Sequence, residues 1–195
     1  MPSEPSIVVL FGRLPPILDK IPFDNMEGLK SLEKYDHIEY ISNRGKSIEE
    51  EIRETIITLT DLGHHVIIVY PIFEPGIHVP NYILEISKKF QDKAFNSMTE
   101  LLSSAYTVKK EAYDRYSKST FDLLNSIKSQ RIYRVYPHTI FCGNLLEGRC
   151  TTFTEKEVYF VDHLHPSFKG AKLISNLILQ EIKEAEKQIL NFSLK

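Results

Sequence analysis

The chain has 195 residues, of which 42% are hydrophobic and 26% are charged, and its formal net charge is -2. This balance is typical of one globular domain with a sizeable core, and residues 1–195 are treated as a single domain. The small net charge and the lack of a long basic run argue against nucleic acid as a partner. The longest apolar runs have the length of β-strands, far below the roughly 20 residues that span a bilayer. The first residues show no signal peptide.

The first predicted strand is followed by a long irregular stretch. Ile7–Phe11 is a continuous apolar run rich in β-branched residues, which is the pattern of a strand buried on both faces. Pro15 and Pro16 are expected to end regular structure there. Residues 20–46 form an irregular insert in this interpretation, with a short helix from Met26 to Leu32.

A capping box opens the first long helix. The Ser47 side chain can accept a hydrogen bond from the first turn, and the Glu50 side chain can reach back to the serine N–H. Apolar residues then recur at helical spacing as far as Gly63, a residue type that commonly follows a helix end. Val66–Tyr70 is predicted to be a second buried strand. A helix that leads into an interior strand is the building block of a parallel sheet.

The second half of the chain continues this alternation. The pattern predicts a long helix over 99–128, a strand at Ile132–Tyr136, a short strand at Val158–Val161 and a final helix from Pro166 to about Leu190. Helices that alternate with apolar strands predict an α/β fold. We therefore expect a flavodoxin-like three-layer sandwich with a mainly parallel sheet.

The sharpest chemical signal lies between the last strand and the last helix. Asp162 and His165 stand three residues apart, and ligands of such sheets bind beyond the carboxyl ends of the strands. An aspartate that bonds one ring nitrogen fixes the histidine tautomer and supports the imidazolium formed when the other nitrogen takes a proton. Pro166 suits the first position of a helix, so His165 is expected at the helix entrance. There the helix dipole favours the neutral ring that a general base requires.

A purely structural role is the alternative for this pair. Asp162 and His165 could simply cap the final helix, and for an arbitrary Asp-x-x-His that interpretation would be preferred. The strand-turn-helix context and the continuation Pro166-Ser167-x-x-Gly170 favour the catalytic interpretation.

The block Asp162-x-x-His165-Pro-Ser-x-x-Gly170, followed by an amphipathic helix, resembles the last conserved block of the SGNH hydrolases, the GDSL-type esterases. Weaker likenesses upstream, within residues 5–180, point to SGNH domains fused to membrane-bound acyltransferases that O-acetylate surface polysaccharides. They comprise Ile7 to Pro15, Phe23 to Gly28 and Gly63 to Pro80. The resemblance implies an SGNH fold, a carbohydrate or acyl-ester substrate, no cofactor, a membrane acyltransferase partner and an extracytoplasmic location, periplasmic or at the cell surface.

One block of that family has no counterpart in the sequence. The family requires a Gly-Asp-Ser block whose serine attacks the ester carbonyl, and neither it nor Gly-x-Ser-x-Gly occurs here. The family places the block on the strand before the one at Ile7. We therefore expect an N-terminally truncated SGNH domain, roughly the C-terminal two-thirds or more of the fold. Without nucleophile and oxyanion donors, the isolated chain should show little or no catalysis.

Two charged residues also follow strands at this edge. Arg13 lies near the acyl-group site that the resemblance implies, where it would contact substrate or an oxyanion. A surface ion pair with Glu or Asp is an equal alternative for Arg13. For Glu74, in the loop Pro71–Gly76, simple solvation is favoured.

Cys142 and Cys150 enclose a short loop with residues that permit tight turns. Zinc is disfavoured because the spacing is wide and no second ligand pair follows, and a reactive thiol lacks an activating partner. If oxidised, the pair would stabilise the fold by roughly 2–3 kcal/mol and would indicate an oxidising compartment. The two positions also follow the cysteine pattern of the SGNH branch, so the resemblance implies a disulfide.

No metal site is expected from the histidines. His163 with His165, and His64 with His65, are the candidate ligand pairs. His64 and His65 begin a predicted strand, where alternation points neighbouring side chains to opposite faces.

These observations lead to three functional hypotheses. The first is an SGNH domain for O-acyl transfer, above all acetyl transfer, or for ester hydrolysis on carbohydrate; His165 is the base, Asp162 its orienting partner, and the serine comes from outside this chain. The second is a non-catalytic or degenerate carbohydrate-binding module that keeps the cleft. The least favoured is a stand-alone esterase with an internal serine, because Ser167 is better placed to cap the final helix.

Overall fold

The computed structural model describes residues 4–28, 44–89, 107–154 and 156–193. Helices and strands alternate along these residues, as the sequence predicts. The strands are β1 (Ile7–Phe11), β2 (His65–Val69), β3 (Thr107–Lys109), β4 (Ile132–Val135) and β5 (Arg149–Thr151). The helices are α1 (Pro15–Asp19), α2 (Ile48–Asp61), α3 (Val79–Lys89), α4 (Lys110–Ser126), α5 (His138–Phe141) and α6 (Phe168–Ser193).

The main sheet is parallel and has the order β1-β2-β4. Phe11 is level with Val69, and Val69 is level with Val135, so all three strands end at the same edge of the sheet. Every residue of β2 is buried, as expected of a central parallel strand. Loops that follow these strands are therefore brought together at one edge.

Helices cover both faces of this sheet. On one face, Ile56 of α2 and Leu124 of α4 belong to a buried cluster with Val66 and Ile68 of β2. On the opposite face, α6 contributes Ala185 to a second buried cluster, which includes Ile67 and Val69 of β2. The α/β fold with a parallel sheet between helices is therefore confirmed. The capping box that begins α2 is also present, with both reciprocal hydrogen bonds.

A small antiparallel sheet lies beside the main one. Strands β3 and β5 pair so that Val108 is opposite Cys150, and Cys150 forms a disulfide with Cys142. This sheet packs into a third apolar cluster that includes Phe73 and Phe160. The cluster connects the loop after β2 to the segment that leads to Asp162.

Three predicted segments differ from the structure. A single helix was predicted over 99–128, but among the described residues there only α4 is helical. Thr107 and Val108 belong to β3 instead, because they pair with the distant Thr151 and Cys150. Residues 99–106 lie outside the described residues. The prolines expected to end regular structure instead begin α1, since a first helical turn needs no proline N–H. For the predicted short helix of the insert, residues 26–28 are not helical and residues 29–32 lie outside the described residues.

The short strand predicted at Val158–Val161 is not a strand of the sheet. It makes only single bridges: Val158 pairs with Phe153 before it, and Phe160 pairs with Pro166 after it. The Val161 N–H donates to the His165 carbonyl at 2.9 Å, and the Ser167 N–H donates to the Tyr159 carbonyl at 2.8 Å. These hydrogen bonds close the turn that carries Asp162.

The final helix begins at Phe168, two residues later than predicted. Pro166 is not its first residue; it forms a bridge with Phe160 instead. The Ser167 hydroxyl accepts a hydrogen bond from the Gly170 N–H at 3.2 Å, which is the geometry of a helix N-cap, and donates to the Val158 carbonyl at 2.6 Å. The Ser167 side chain therefore caps α6 and also links the start of this helix, by a hydrogen bond, to the segment that contains Val158.

We predict that Gly170→Ala destabilises the protein by about 1–3 kcal/mol. A Cβ atom at this position would lie 2.3 Å from the Tyr159 carbonyl oxygen, so the first turn of α6 would have to move away from the segment before Asp162. Urea unfolding measures the change. Gly12→Ala is the matched control, because a Cβ atom at Gly12 meets nothing within 4 Å. Equal stabilities of the two variants would contradict the close contact at Gly170.

Candidate active site

A cleft of about 330 Å³ lies at the edge where the parallel strands end. The segments after β1 and after β2 and the turn before α6, which were predicted to lie at this edge, all contribute to its walls. The Gly76 N–H also donates to the His163 carbonyl at 3.3 Å, which ties the loop after β2 to the turn. The lining residues are Phe11, Gly12, Arg13, Pro15, Pro71, Ile72, Glu74, Leu164, His165 and Pro166.

The carboxylate of Asp162 organises the turn. Its Oδ1 accepts hydrogen bonds from the backbone N–H groups of Leu164 and His165, both at 2.7 Å. Its Oδ2 lies 2.7 Å from Nδ1 of the His165 ring. One side chain thus sets the backbone of the turn and the orientation of the imidazole.

The protonation state of Asp162 determines the histidine tautomer. Partial burial alone would raise the pKa of Asp162, but the hydrogen bonds from His165 and Leu164 outweigh it and lower the pKa to about 2. The carboxylate is therefore ionised near neutral pH and can only accept hydrogen bonds. Nδ1 of His165 must then carry the proton, and Nε2 is the nitrogen left to accept one.

His165 itself lies at the surface of the cleft. Its side chain is 71% exposed, so a substrate in the cleft can reach the ring. The sequence placed His165 at the entrance of the final helix, where the helix dipole would favour the neutral ring. In the structure His165 stands three residues before Phe168, the first residue of α6. The dipole acts mainly within the first turn, so Asp162 provides the local control of the ring.

We predict that Asp162→Asn changes how stability depends on pH. Because the folded-state pKa of about 2 lies below the ordinary value of 3.8, the carboxylate stabilises the fold above about pH 4 and loses this effect as the pH falls towards 2. After allowance for solvent screening, wild type should lose about 1–2 kcal/mol more than Asp162→Asn across this window. Urea unfolding at several pH values measures the difference.

The control for this experiment is Asp114→Asn, which changes a half-exposed carboxylate paired with Lys110 on the surface of α4. Its stability should follow the wild-type curve. If Asp162→Asn also follows the wild-type curve between pH 4 and pH 2, the three hydrogen bonds to Asp162 do not stabilise the folded state.

Arg13 and Glu74 form an ion pair in the wall of the cleft. Nε of Arg13 donates to one carboxylate oxygen at 2.7 Å, and Nη2 donates to the other at 2.6 Å. The Glu74 side chain is only 7% exposed, whereas that of Arg13 is 31% exposed. The solvated loop position favoured for Glu74 is therefore wrong. The ion pair considered for Arg13 is present, but it lies in the cleft with His165.

We predict that Glu74→Gln lowers the free energy of unfolding by about 1–3 kcal/mol, because it leaves the Arg13 guanidinium without its buried counter-charge. Glu54→Gln is the matched control: the Glu54 side chain, which pairs with Lys46, is 43% exposed, whereas that of Glu74 is 7% exposed. The Glu54 change should stay within about 0.5 kcal/mol. Thermal or urea unfolding compares the two. A similar effect of both substitutions would show that burial adds nothing to the Arg13–Glu74 pair.

The other histidines considered as metal ligands lie in separate surroundings. His65 is buried, and its Nδ1 lies 3.0 Å from the Tyr133 hydroxyl, while Nδ1 of His64 accepts the Ser6 N–H. Burial is the main cause that lowers the pKa of His65. Across the described ranges, no three His, Cys, Asp or Glu side chains are grouped as they would be around a metal ion.

The described helices are also too short or too polar to cross a membrane. A parallel sheet between helices, with an Asp-x-x-His turn lining a cleft at the carboxyl edge, defines a domain of the SGNH class. The profile of the SGNH domain fused to AT3 domains matches residues 1–180, and the chain belongs to this family.

One solved structure is similar to the chain. It is the periplasmic domain of a lipopolysaccharide acetyltransferase from Salmonella ser. Paratyphi A, with 17% sequence identity and a TM-score of 0.44. The match covers 72% of this chain and 52% of that one, so the chain spans about half the length of its neighbour. Among curated proteins, no match was found.

Proposed function

We propose that this chain supplies the proton-transfer half of an active site for O-acyl transfer, or ester hydrolysis, on carbohydrate. His165 is the general base, and Asp162 orients its ring. Arg13 contacts the acyl substrate or the oxyanion. The nucleophilic serine comes from outside the 195 residues, so the chain alone is inactive.

The observation that carries this proposal is the hydrogen bond of 2.7 Å between Asp162 and Nδ1 of His165 in a cleft that also contains Arg13. This arrangement holds the ring in the tautomer that a base requires. Membership of the SGNH family supports a role related to acyl transfer or hydrolysis.

The chemistry follows from the two ring nitrogens. As a serine Oγ bonds to the acyl carbon, its proton passes to Nε2 of His165, and Asp162 stabilises the resulting imidazolium. When the ester C–O bond breaks, the leaving alkoxide takes this proton. A carbohydrate hydroxyl or water then gives its proton to Nε2 and attacks the acyl group, and the serine regains its proton as it leaves.

Arg13 is suited to the charge that develops on the acyl oxygen. Both carboxylate oxygens of Glu74 hold its guanidinium, so the cation is fixed in the cleft wall before substrate binds. Donors and charges that are fixed before the reaction stabilise a developing oxyanion without reorganisation.

The proposed location is extracytoplasmic, with a membrane-bound acyltransferase as partner. The family comprises SGNH domains fused to AT3 domains, which supports this association. The disulfide between Cys142 and Cys150 is also in keeping with an oxidising compartment.

The source of the serine can be tested in the DNA upstream of the Met1 codon. We expect in-frame codons for Gly-Asp-Ser and for transmembrane helices. A protein expressed with that segment should hydrolyse p-nitrophenyl acetate, and His165→Ala should reduce the rate by about 10²–10⁴-fold. The control is His163→Ala, which removes a neighbouring imidazole that does not line the cleft and should leave the rate unchanged.

The 195-residue chain provides the opposite arm of this test. Its hydrolysis of p-nitrophenyl acetate should be the same with and without His165→Ala, because the proposed nucleophile lies outside the chain. A clear His165-dependent rate from this chain alone would contradict the external serine and would favour an internal nucleophile.

A non-catalytic carbohydrate-binding module is the second candidate. It is favoured by the cleft lining, which contains no serine among the described residues, and by the hydrogen bonds that occupy the Ser167 hydroxyl. Binding of acetylated glycan that Arg13→Ala weakens, without turnover in the longer protein, would support the module over the enzyme.

A further inference from the structure

Helix α6 carries large apolar residues on its outer side as well as on its inner side. The inner side packs against the domain, where Ile174 and Ala185 are buried in two of the apolar clusters. The outer side carries Phe168, Leu179 and Leu190, which are 82%, 50% and 63% exposed. One apolar face is enough to pack a surface helix onto its domain, so the outer apolar residues need a separate explanation.

These three exposed residues lie on one line along the helix. Leu179 follows Phe168 by eleven residues, and Leu190 follows Leu179 by eleven. Eleven residues make about three turns of an α-helix, so the three side chains point in nearly the same direction at intervals of about 16 Å. We call Phe168, Leu179 and Leu190 the outer stripe.

Positive charge accompanies the outer stripe. Lys172 and Lys183 follow Phe168 and Leu179 by four residues, and this spacing places each lysine on the same side of the helix as the apolar residue before it. Both lysines are exposed. The outer side of α6 therefore combines apolar anchors with adjacent cations.

The distribution of charge along α6 is unfavourable for the helix itself. The helix dipole favours acidic side chains in the first turn, and α6 has none there. Residues 168–180 contain Lys169 and Lys172 but no aspartate or glutamate, and the glutamates of α6 begin at Glu181. Lysines at this end of the helix are therefore better explained by an external anionic surface than by the stability of α6.

The spacing of the outer stripe does not fit a second helix or an ordinary protein partner. A coiled coil needs an apolar residue at every third or fourth position, but the outward positions within the stripe are polar or charged: Lys172, Ser175, Lys183 and Glu186. A protein interface also needs a contiguous, well-packed core. Single apolar side chains about 16 Å apart, with lysines between them, fit a flat surface that offers apolar contact at every point and negative charge around it. An anionic lipid bilayer has both properties.

We infer that the outer stripe of α6 binds the surface of a membrane that contains anionic phospholipid. The helix lies in the plane of the interface, where its apolar side chains insert between the lipid headgroups and Lys172 and Lys183 approach the lipid phosphates. The stripe begins three residues after His165, so this binding holds the candidate site close to the membrane surface. Membrane binding does not require the acyl chemistry of the proposed function, and each can fail without the other.

The first test measures sedimentation of the 195-residue chain with lipid vesicles. One set of vesicles contains phosphatidylcholine alone, and the other contains phosphatidylcholine mixed with phosphatidylglycerol. The affinity for the mixed vesicles should be about tenfold higher or more, because the lysines beside the stripe are attracted to the anionic headgroups.

Leu179→Ser should weaken binding to the mixed vesicles about tenfold, because it removes an apolar anchor. Leu62→Ser is the matched control: Leu62 is 60% exposed and directly follows α2, which covers the opposite face of the sheet. This substitution should leave the affinity unchanged. Circular dichroism verifies that each variant is folded.

The lysines have a matched pair of their own. Lys172→Glu should weaken binding to the mixed vesicles about tenfold, because it replaces attraction to the headgroups by repulsion. Lys118→Glu is the control, since Lys118 is an exposed lysine of α4, on the opposite face of the sheet. It should leave the affinity unchanged.

A fluorescent probe reports which surface of the protein meets the lipid. The chain contains no tryptophan, so Phe168→Trp introduces a single indole at the start of the outer stripe. On mixed vesicles its emission should shift to shorter wavelengths and should be quenched by brominated phospholipid, because the indole enters an apolar environment. Leu62→Trp should keep the spectrum that it has in buffer.

Four outcomes would overturn the inference. The first is the absence of binding to the mixed vesicles, and the second is an equal affinity for the two vesicle types. The third is binding that Leu179→Ser and Leu62→Ser affect alike. The fourth is a dimer, seen by light scattering, that Leu179→Asp dissociates and vesicles do not, because a second copy of the chain would then occupy the outer stripe.

Discussion

The carboxylate of Asp162 is the group on which the whole candidate site depends. It accepts two backbone hydrogen bonds that shape the turn and one from the ring of His165. Removal of the carboxylate from water opposes this arrangement, and the hydrogen bonds outweigh that opposition, which is why the pKa of Asp162 falls to about 2. The shape of the turn, the histidine tautomer and the negative charge that would support an imidazolium thus have one physical origin.

The rest of the fold gives this turn its position. The level ends of the parallel strands bring Arg13 and Glu74, from the loops after β1 and β2, to the same cleft. Close packing of Gly170 against the Tyr159 carbonyl holds α6 to the segment that precedes Asp162. The turn holds an oriented imidazole, and the loops after β1 and β2 hold the Arg13–Glu74 ion pair in the same cleft. The proposed function depends on both features.

Features encoded by neighbouring residues could be predicted from the sequence, whereas pairings between distant residues could not. Strand β1 and the Ser47 capping box follow from neighbouring residues, and so does the Asp-x-x-His turn. The Arg13–Glu74 pair joins residues 61 positions apart, and nothing in either local context selects this partner. Strand β3 was hidden in a helical pattern because its β-branched residues form a strand only when paired with β5. The first residue of α6 was predicted at Pro166, because proline is common in the first turn of a helix. In the structure Ser167 caps the helix, which begins at the next residue.

The hydrogen bonds of Ser167 show why this serine is poorly suited to be the nucleophile of the proposed function. Ser167 is two residues from His165, yet its hydroxyl donates to the Val158 carbonyl and accepts from the Gly170 N–H. Turning the hydroxyl towards His165 would leave the first turn of α6 uncapped and release the segment that closes the Asp162 turn. The Ser167 hydroxyl is therefore committed to the turn and to the first turn of α6. Under the proposed function, the nucleophile for His165 approaches the cleft from another element.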